Sequence, residues 1–215
     1  MPTSYHKQIS TIMDAVILLD PHSVLDIGVG FGKYGVLCRE YLELWDGRED
    51  YHHFTRRIDG IEAFEDYLTP LHNYIYNNVY IGEAQTIIKT LDTSYDLILL
   101  IDVLEHLSES QGRALVKHIL THHRGILIST PKHMHEQGAS FHNPFETHLT
   151  EWSLAKLRAL GPSISFRDED SHIIYVGTHT SILHLRTKQR WERLKRWGEK
   201  VPFLHKIYKT LHAKA

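Results

Sequence analysis

The residues best equipped for chemistry lie in one loop, Asp26-Ile-Gly28-Val-Gly30-Phe-Gly32-Lys-Tyr-Gly35. A short apolar run, Ser23 to Ile27, leads into the loop, and a helical pattern starts at Lys33, so the glycines make a tight strand-to-helix turn. Two spacings overlap there. Gly30, Gly32 and Gly35 fit G-x-G-x-x-G, in which glycine amides and a helix N-terminus receive a pyrophosphate. Asp26, Gly28, Gly30 and Gly32 fit D-x-G-x-G-x-G, which sets a carboxylate beside the glycines and suits a ligand carrying positive charge. A phosphate-binding loop places its first glycine at the strand terminus. Here that place belongs to Gly28, two residues ahead of Gly30.

Further groups follow at the ends of later strands. Glu62 ends the run Arg57 to Ile61 and is placed to accept from two ribose hydroxyls, a role shared by several nucleoside-binding classes. It stands 36 residues after Asp26, more than the ~20 of a short unit, and the polar stretch from Glu43 to Arg57 accounts for most of the excess. Gly82-Glu83-Ala84 offers an acid for an exocyclic amine and a small residue beside a flat ring; taken alone, Glu83 is also an ordinary helix N-terminal charge. The fourth strand runs into Ile101-Asp-Val-Leu-Glu-His-Leu107. His133 and His148 lie in the loop after the fifth. His133, His135, Glu136 and His142 are spaced as metal ligands can be, but there is no H-E-x-x-H, and a chain with 18 histidines and one cysteine gives such matches by chance; no metal is expected.

In this order (D-x-G-x-G-x-G, a strand-end acid, G-E-A, D-V-L-E-H-L, then Ile128-Ser-Thr-Pro131) the motifs resemble the small-molecule branch of the class I S-adenosylmethionine-dependent methyltransferases. The likeness, to the ubiquinone-biosynthesis type O-methyltransferases among others, runs from Val24 to about Gly177. It implies S-adenosylmethionine as cofactor, with Asp26, Gly28, Gly30, Gly32, Glu62, Glu83 and Asp102 in contact with it. It also implies His106 and His148 as residues lining the acceptor side, with His133 a third candidate base. Methyl transfer of this kind is an in-line displacement, helped by alignment and, for a weakly acidic acceptor, by a base worth ~10²–10⁴-fold. The implied acceptor is a small molecule, a sugar or a lipid-linked group, methylated on oxygen or nitrogen. Two other readings stay open: an NAD(P)-dependent oxidoreductase built on Gly30, Gly32 and Gly35, and a catalytically silent adaptor of the same fold acting through its C-terminal tail.

The elements that must position these groups are legible in the hydrophobic pattern. Helical periodicity over Ile9 to Val16 precedes the first strand; strands and helices then alternate to Val176, with a helix opening at Pro70, a short one from Ala84 to Leu91, one behind a Ser108 and Gln111 capping box, and one from Thr150 to Leu160. That alternation predicts an α/β, Rossmann-like class I methyltransferase fold: a seven-stranded, mostly parallel sheet, six strands parallel and one antiparallel, with helices on both faces. The 215 residues suit one such domain over 1–180, opening with a helix in 1–20, and a basic amphipathic tail over 181–215. The lone Cys38 makes no internal disulfide, no apolar run exceeds five residues, and the first residues lack a secretory pattern, so a cytoplasmic protein is expected.

Charge is unevenly spread. The tail holds ten Lys or Arg against Glu192 and Glu199, a net +8, whereas the first 180 residues hold 14 basic and 24 acidic groups, a net −10. An acidic body disfavours nucleic acid. So does the lack of the D/N-P-P-Y/F motif that grips a flipped base, and Cys38 is not placed as a nucleophile for pyrimidine methylation. The tail's Trp191, Leu194 and Trp197 form an apolar stripe among cations, broken at Gly198 and Pro202. It fits equally a helix on the anionic inner surface of a membrane and one packed on the body or a second subunit, and less well a grip on a polyanionic substrate.

Overall fold

The computed structural model describes residues 5–44 and 53–200, with side chains through residue 191. In chain order the elements are α1 (Gln8–Leu19), β1 (Ser23–Ile27), α2 (Lys33–Leu42), β2 (Arg57–Glu62), α3 (Pro70–Ile75), β3 (Asn78–Ile81), α4 (Ala84–Ile87), β4 (Leu97–Ile101), α5 (Glu109–His122), β5 (Gly125–Pro131), α6 (Leu154–Arg158), β6 (Ser163–Phe166), β7 (Ser171–Gly177) and α7 (His179–Lys200). The strands form one sheet in the order β3-β2-β1-β4-β5-β7-β6. Only β7 runs against its neighbours. The connections reverse direction between β1 and β4, which opens a crevice above the carboxyl ends of these strands, where open α/β sheets hold ligands.

Helices cover both faces. One core gathers Ile12 and Val16 of α1, Cys38 of α2 and Tyr76 against Leu99 and Leu127. The other gathers Leu115 and Ile119 of α5, Trp152 and Leu157 against Leu25 and Ile98. Consequently all five residues of β4 are buried, as its unbroken apolar run requires. Ser108 and Gln111 form the expected capping box at the start of α5.

Three elements differ from expectation. The helix expected from Thr150 is only α6, five residues long. The amides of Leu149 and Thr150 donate instead to the Glu105 carbonyl, at 2.7 and 3.1 Å, and Ser153 becomes the cap by accepting from the Lys156 amide. The helix expected through Leu91 ends at Ile87 and tightens into a 3₁₀ turn over Ile88–Thr90. At the C-terminal end, α7 starts at His179 and buries Ile182 and Leu185 in the core beside α1, so the packed body runs past residue 180. Gly198 does not break α7; Pro202 and the rest of the tail lie outside the described residues, as do residues 45–52 of the polar stretch after Glu43. Among the described residues no helix is long and apolar enough to cross a membrane.

Candidate active site

The loop between β1 and α2 is held from below rather than open. Gly28, Gly30 and Gly32 have φ of 76°, 51° and 84°, the left-handed region in which a side chain is strained. A Cβ on Gly28 would also sit 2.7 Å from Val103 Cγ2, so the loop packs directly on the segment after β4. The amides of Gly28 and Val29 donate to the Ile61 carbonyl at 2.8 and 3.3 Å, and that of Gly32 to the Val29 carbonyl at 2.8 Å. Gly30 N–H donates to Glu62 Oε2 at 2.9 Å, while Glu62 Oε1 accepts from the Phe64 amide at 2.9 Å. His72 Nε2 lies 2.9 Å from the Gly30 carbonyl; since its Nδ1 accepts from the Thr69 amide at 3.0 Å, Nε2 carries the proton and donates.

This wiring bears on the two glycine spacings. A pyrophosphate needs amides free to donate, and those of Gly28, Val29, Gly30 and Gly32 are engaged within the protein. Gly35, the third glycine of the phosphate-binding spacing, lies under the Tyr76 ring, where a Cβ would collide with it; its smallness serves helix packing.

A cavity of about 690 Å³ opens above the loop at the carboxyl ends of β1, β2 and β4, within the ~300–1,000 Å³ usual for small-molecule sites. Of the residues singled out from the sequence, it brings together Gly28, Gly30, Glu62, Glu83, Asp102, His106 and His148. Asp26, Gly32 and His133 fall outside its wall. Asp26 is 2% exposed, and its Oδ2 accepts from the Tyr76 hydroxyl at 2.7 Å. Burial pushes its carboxyl up to about 7 despite that hydrogen bond. The alternation of a strand explains the placement: Leu25 and Ile27 face the α5 side, which sends Asp26 to the opposite face, under the glycine loop. Gly32 caps α2, and His133 is exposed in the loop after β5.

The far end of the cavity is built from the turn after β4. Asp102, at φ 54°, directs Oδ2 to accept from Gln8 Nε2 at 2.6 Å, and the Ser129 hydroxyl lies 2.8 Å from its Oδ1. Beside it Lys33 lines the same wall; burial lowers its pKa, and Asp102 opposes that shift. Glu105 is buried, and desolvation, with Asp102 adding to it, holds its carboxyl well above the usual carboxylate range. Burial likewise lowers the pKa of His106, favouring the neutral ring. The rings of His106 and His148 are 5.0 Å apart. Glu146, also buried, accepts from the Tyr67 hydroxyl at 3.1 Å. Phe31, 72% exposed, and Phe145 give the rim an apolar character.

Sequence reasoning missed the supporting residues Gln8, His72, Tyr76, Glu105 and Glu146. Gln8 left a trace, being a polar residue one turn before Ile12 on the buried stripe of α1. His72 and Tyr76 gave none, because their partners are a loop 42 residues away and a carboxylate 50 residues away.

Comparison with family models gives no match, and no curated protein is significantly similar in sequence. Solved structures are similar in fold. The N-terminal domain of EvdMO1 with S-adenosylhomocysteine bound superposes with a TM-score of 0.57 at 14% identity, covering 79% of each chain; a second structure of that domain was obtained in the presence of S-adenosylhomocysteine and D-fucose. An O-methyltransferase family protein from Burkholderia thailandensis gives 0.54 at 12% identity, over 78% of this chain and 55% of that one. Magnesium protoporphyrin IX methyltransferase from Synechocystis PCC 6803, with bound S-adenosylhomocysteine, gives 0.51 at 13% identity over 79% and 82%. With the strand order above, these likenesses give the chain the Rossmann-like fold of the class I methyltransferases.

Proposed function

We propose that the protein is an S-adenosylmethionine-dependent methyltransferase whose acceptor is a small molecule, a sugar or a lipid-linked group. The observation that carries this reading is the cavity where the strand order reverses: three carboxylates, Glu62, Glu83 and Asp102, line it along a glycine loop whose amides are engaged. Such a wall repels a phosphate and favours a cationic sulfonium and its α-ammonium group. Glu62 Oε2 and Oε1 accept from the Gly30 and Phe64 amides, and a carboxylate of about four lone-pair sites keeps acceptor capacity toward ribose hydroxyls. Asp26, through Tyr76, is a positioning residue beneath the loop rather than a contact.

When bound, the cofactor supplies an electrophilic methyl group. The chain's part is to bind, orient and dry the reacting atoms. Gln8 and Ser129 fix Asp102; the His106 Nδ1 lies 3.2 Å from the Thr147 carbonyl and the His148 Nδ1 2.8 Å from the His135 carbonyl, so each ring presents Nε2 on the acceptor side. The apolar rim of Phe31 and Phe145 suits an acceptor with a hydrophobic face. The D-fucose used with the EvdMO1 domain supports keeping a sugar among the acceptors.

Thermal unfolding with S-adenosylhomocysteine and, separately, with NADH tests the assignment. Ligand at 100 times its dissociation constant adds about 2.7 kcal/mol, which at this size raises the midpoint by roughly 5–11 °C. A rise with S-adenosylhomocysteine alone is expected; a rise with NADH alone reverses the assignment, and no rise with either favours the adaptor reading. For the tail we propose contact with an anionic membrane, since Leu183 and Trp191 are exposed on a helix rich in cations. Liposome flotation tests it with the double variant Leu183→Glu, Trp191→Glu, because a cut ahead of these residues would remove Ile182 and Leu185 from the core; equal flotation of the variant and the unaltered chain removes the proposal.

A further inference from the structure

We infer that Glu105, His106 and His148 form a binding site for one divalent first-row transition-metal ion at the acceptor end of the cavity. One ligating atom from each of the three lies within 4.8 Å of the other two. Three ligands each ~2.1 Å from a common ion lie ~3.4–3.6 Å from one another, so a pair at the 4.8 Å limit closes onto an ion by an approach of ~1.2 Å, shared between two side chains.

Three independent features support a built site over a chance meeting of polar groups. The first is the backbone. Glu105 and His106 share the 3₁₀ turn Leu104–His106, and the residues following His148 donate their amides to the Glu105 carbonyl, so the turn and the loop are fastened at the cluster. The second is the imidazole tautomer. Carbonyl oxygens only accept, so Nδ1 of both rings carries the proton, at Thr147 and His135 respectively, and Nε2 holds the lone pair. Metal-bound imidazoles are oriented by the same outer hydrogen bond. The third is Glu105 itself. It is 2% exposed, and its Oε2 has no hydrogen-bond partner among the described residues. A buried carboxyl oxygen with no partner is costly, and a cation is the partner this position lacks. Asp102 and Glu146 stand close enough to act electrostatically on Glu105 and His106, adding negative potential; Lys33, the cation of the same wall, acts on Asp102.

Two imidazoles with one carboxylate favour Mn²⁺, Fe²⁺, Co²⁺ or Zn²⁺ over Mg²⁺ or Ca²⁺, whose sites are built from oxygen. Three protein ligands leave coordination positions for water and for an oxygen of the acceptor. An ion there acidifies a bound hydroxyl, so the pair of histidines would serve the reaction by holding the metal rather than by taking the proton. That use rests on the methyltransferase reading, whereas the site itself rests on the cluster.

The full chain, stripped with a chelator, is dialysed against Mn²⁺ or Co²⁺ and bound metal is counted, with S-adenosylhomocysteine binding measured on the same samples. One tight equivalent per chain is expected. His148→Ala and the near-isosteric Glu105→Gln should each weaken it by more than ~100-fold, beyond the ~10–100-fold cost of losing an outer-shell partner, with cofactor-product binding retained as evidence of folding. The pair His118 and His122 on α5, whose rings stack at 4.2 Å, is the control for adventitious histidine binding; its double alanine variant should keep the equivalent. The inference is overturned if no tight equivalent binds, or if one binds and survives both His148→Ala and Glu105→Gln. Tight metal without S-adenosylhomocysteine binding would sink the methyltransferase reading and leave the site standing.

Discussion

The two ends of the cavity are built to different standards. At the glycine loop, buried side chains from two other elements grip the backbone: Glu62 holds the Gly30 amide, His72 its carbonyl, and Tyr76 ties α3 to Asp26 of β1. At the acceptor end, Gln8 and Ser129 fix Asp102 from below, but the outer wall is the loop between β5 and α6, fastened through main-chain bonds and edged by Phe145, 43% exposed. The contrast teaches a division of labour. On the proposed methyltransferase reading, a rigid sheet edge would serve the cofactor, while the groups that would select and activate the acceptor are carried on a loop.

The largest test of this division is His148→Ala. It should reduce turnover by about 10²–10⁴-fold, the usual worth of proton handling at an acceptor, which here would pass through the ion that His148 helps to hold, with the dissociation constant for S-adenosylhomocysteine unchanged within about two-fold. If calorimetry finds both lost together, the two ends are not separable. Asp26→Asn probes the rigid end. The folded-state pKa of Asp26 is raised to about 7 by burial, so the wild-type carboxyl costs nothing while protonated in both states and becomes a burden as pH climbs from about 4 to 7. The cost levels off above that, on the order of 4 kcal/mol. Asn can still accept from Tyr76, so the variant's melting temperature relative to wild type should climb between pH 4 and 7 and level off above it. A difference independent of pH would mean that Asp26 is not held out of water.

Glu62→Gln should weaken S-adenosylhomocysteine by roughly 10–100-fold, the 1.5–3 kcal/mol of hydrogen bonds to a charged group, measured by calorimetry. An equal loss from a substitution in the outer loop would erase the contrast. The smallest effect is expected from Phe145→Ala: stability within ~0.5 kcal/mol and unaltered cofactor affinity, with any change confined to KM for the acceptor once one is found.

Much of the frame was readable before any coordinates. β1 and β2, with the starts of α2, α3 and α5, stand where the pattern put them, because each is dictated by local chemistry: an apolar run flanked by glycine, a proline, a capping pair. The Thr150 helix was misjudged because what shortens it, the Glu105 carbonyl, lies 44 residues upstream of Leu149 and leaves no mark on the local pattern. Asp26 was placed at the ligand on the strength of its position in the motif, although strand alternation already aimed it at the opposite face from Ile27.

By itself, then, the sequence determined the elements, their alternation and the strand ends that carry Glu62, Glu83 and Asp102, since these follow from residue type and short spacing. Tertiary structure alone decided which groups meet. Asp26 with Tyr76, Gly30 with His72, Asp102 with Gln8, and Glu105 with His148 are joined by hydrogen bonds or close approach across 50, 42, 94 and 43 residues. Such meetings depend on how the sheet is ordered and which way each strand turns its side chains, and no window of neighbouring residues encodes either.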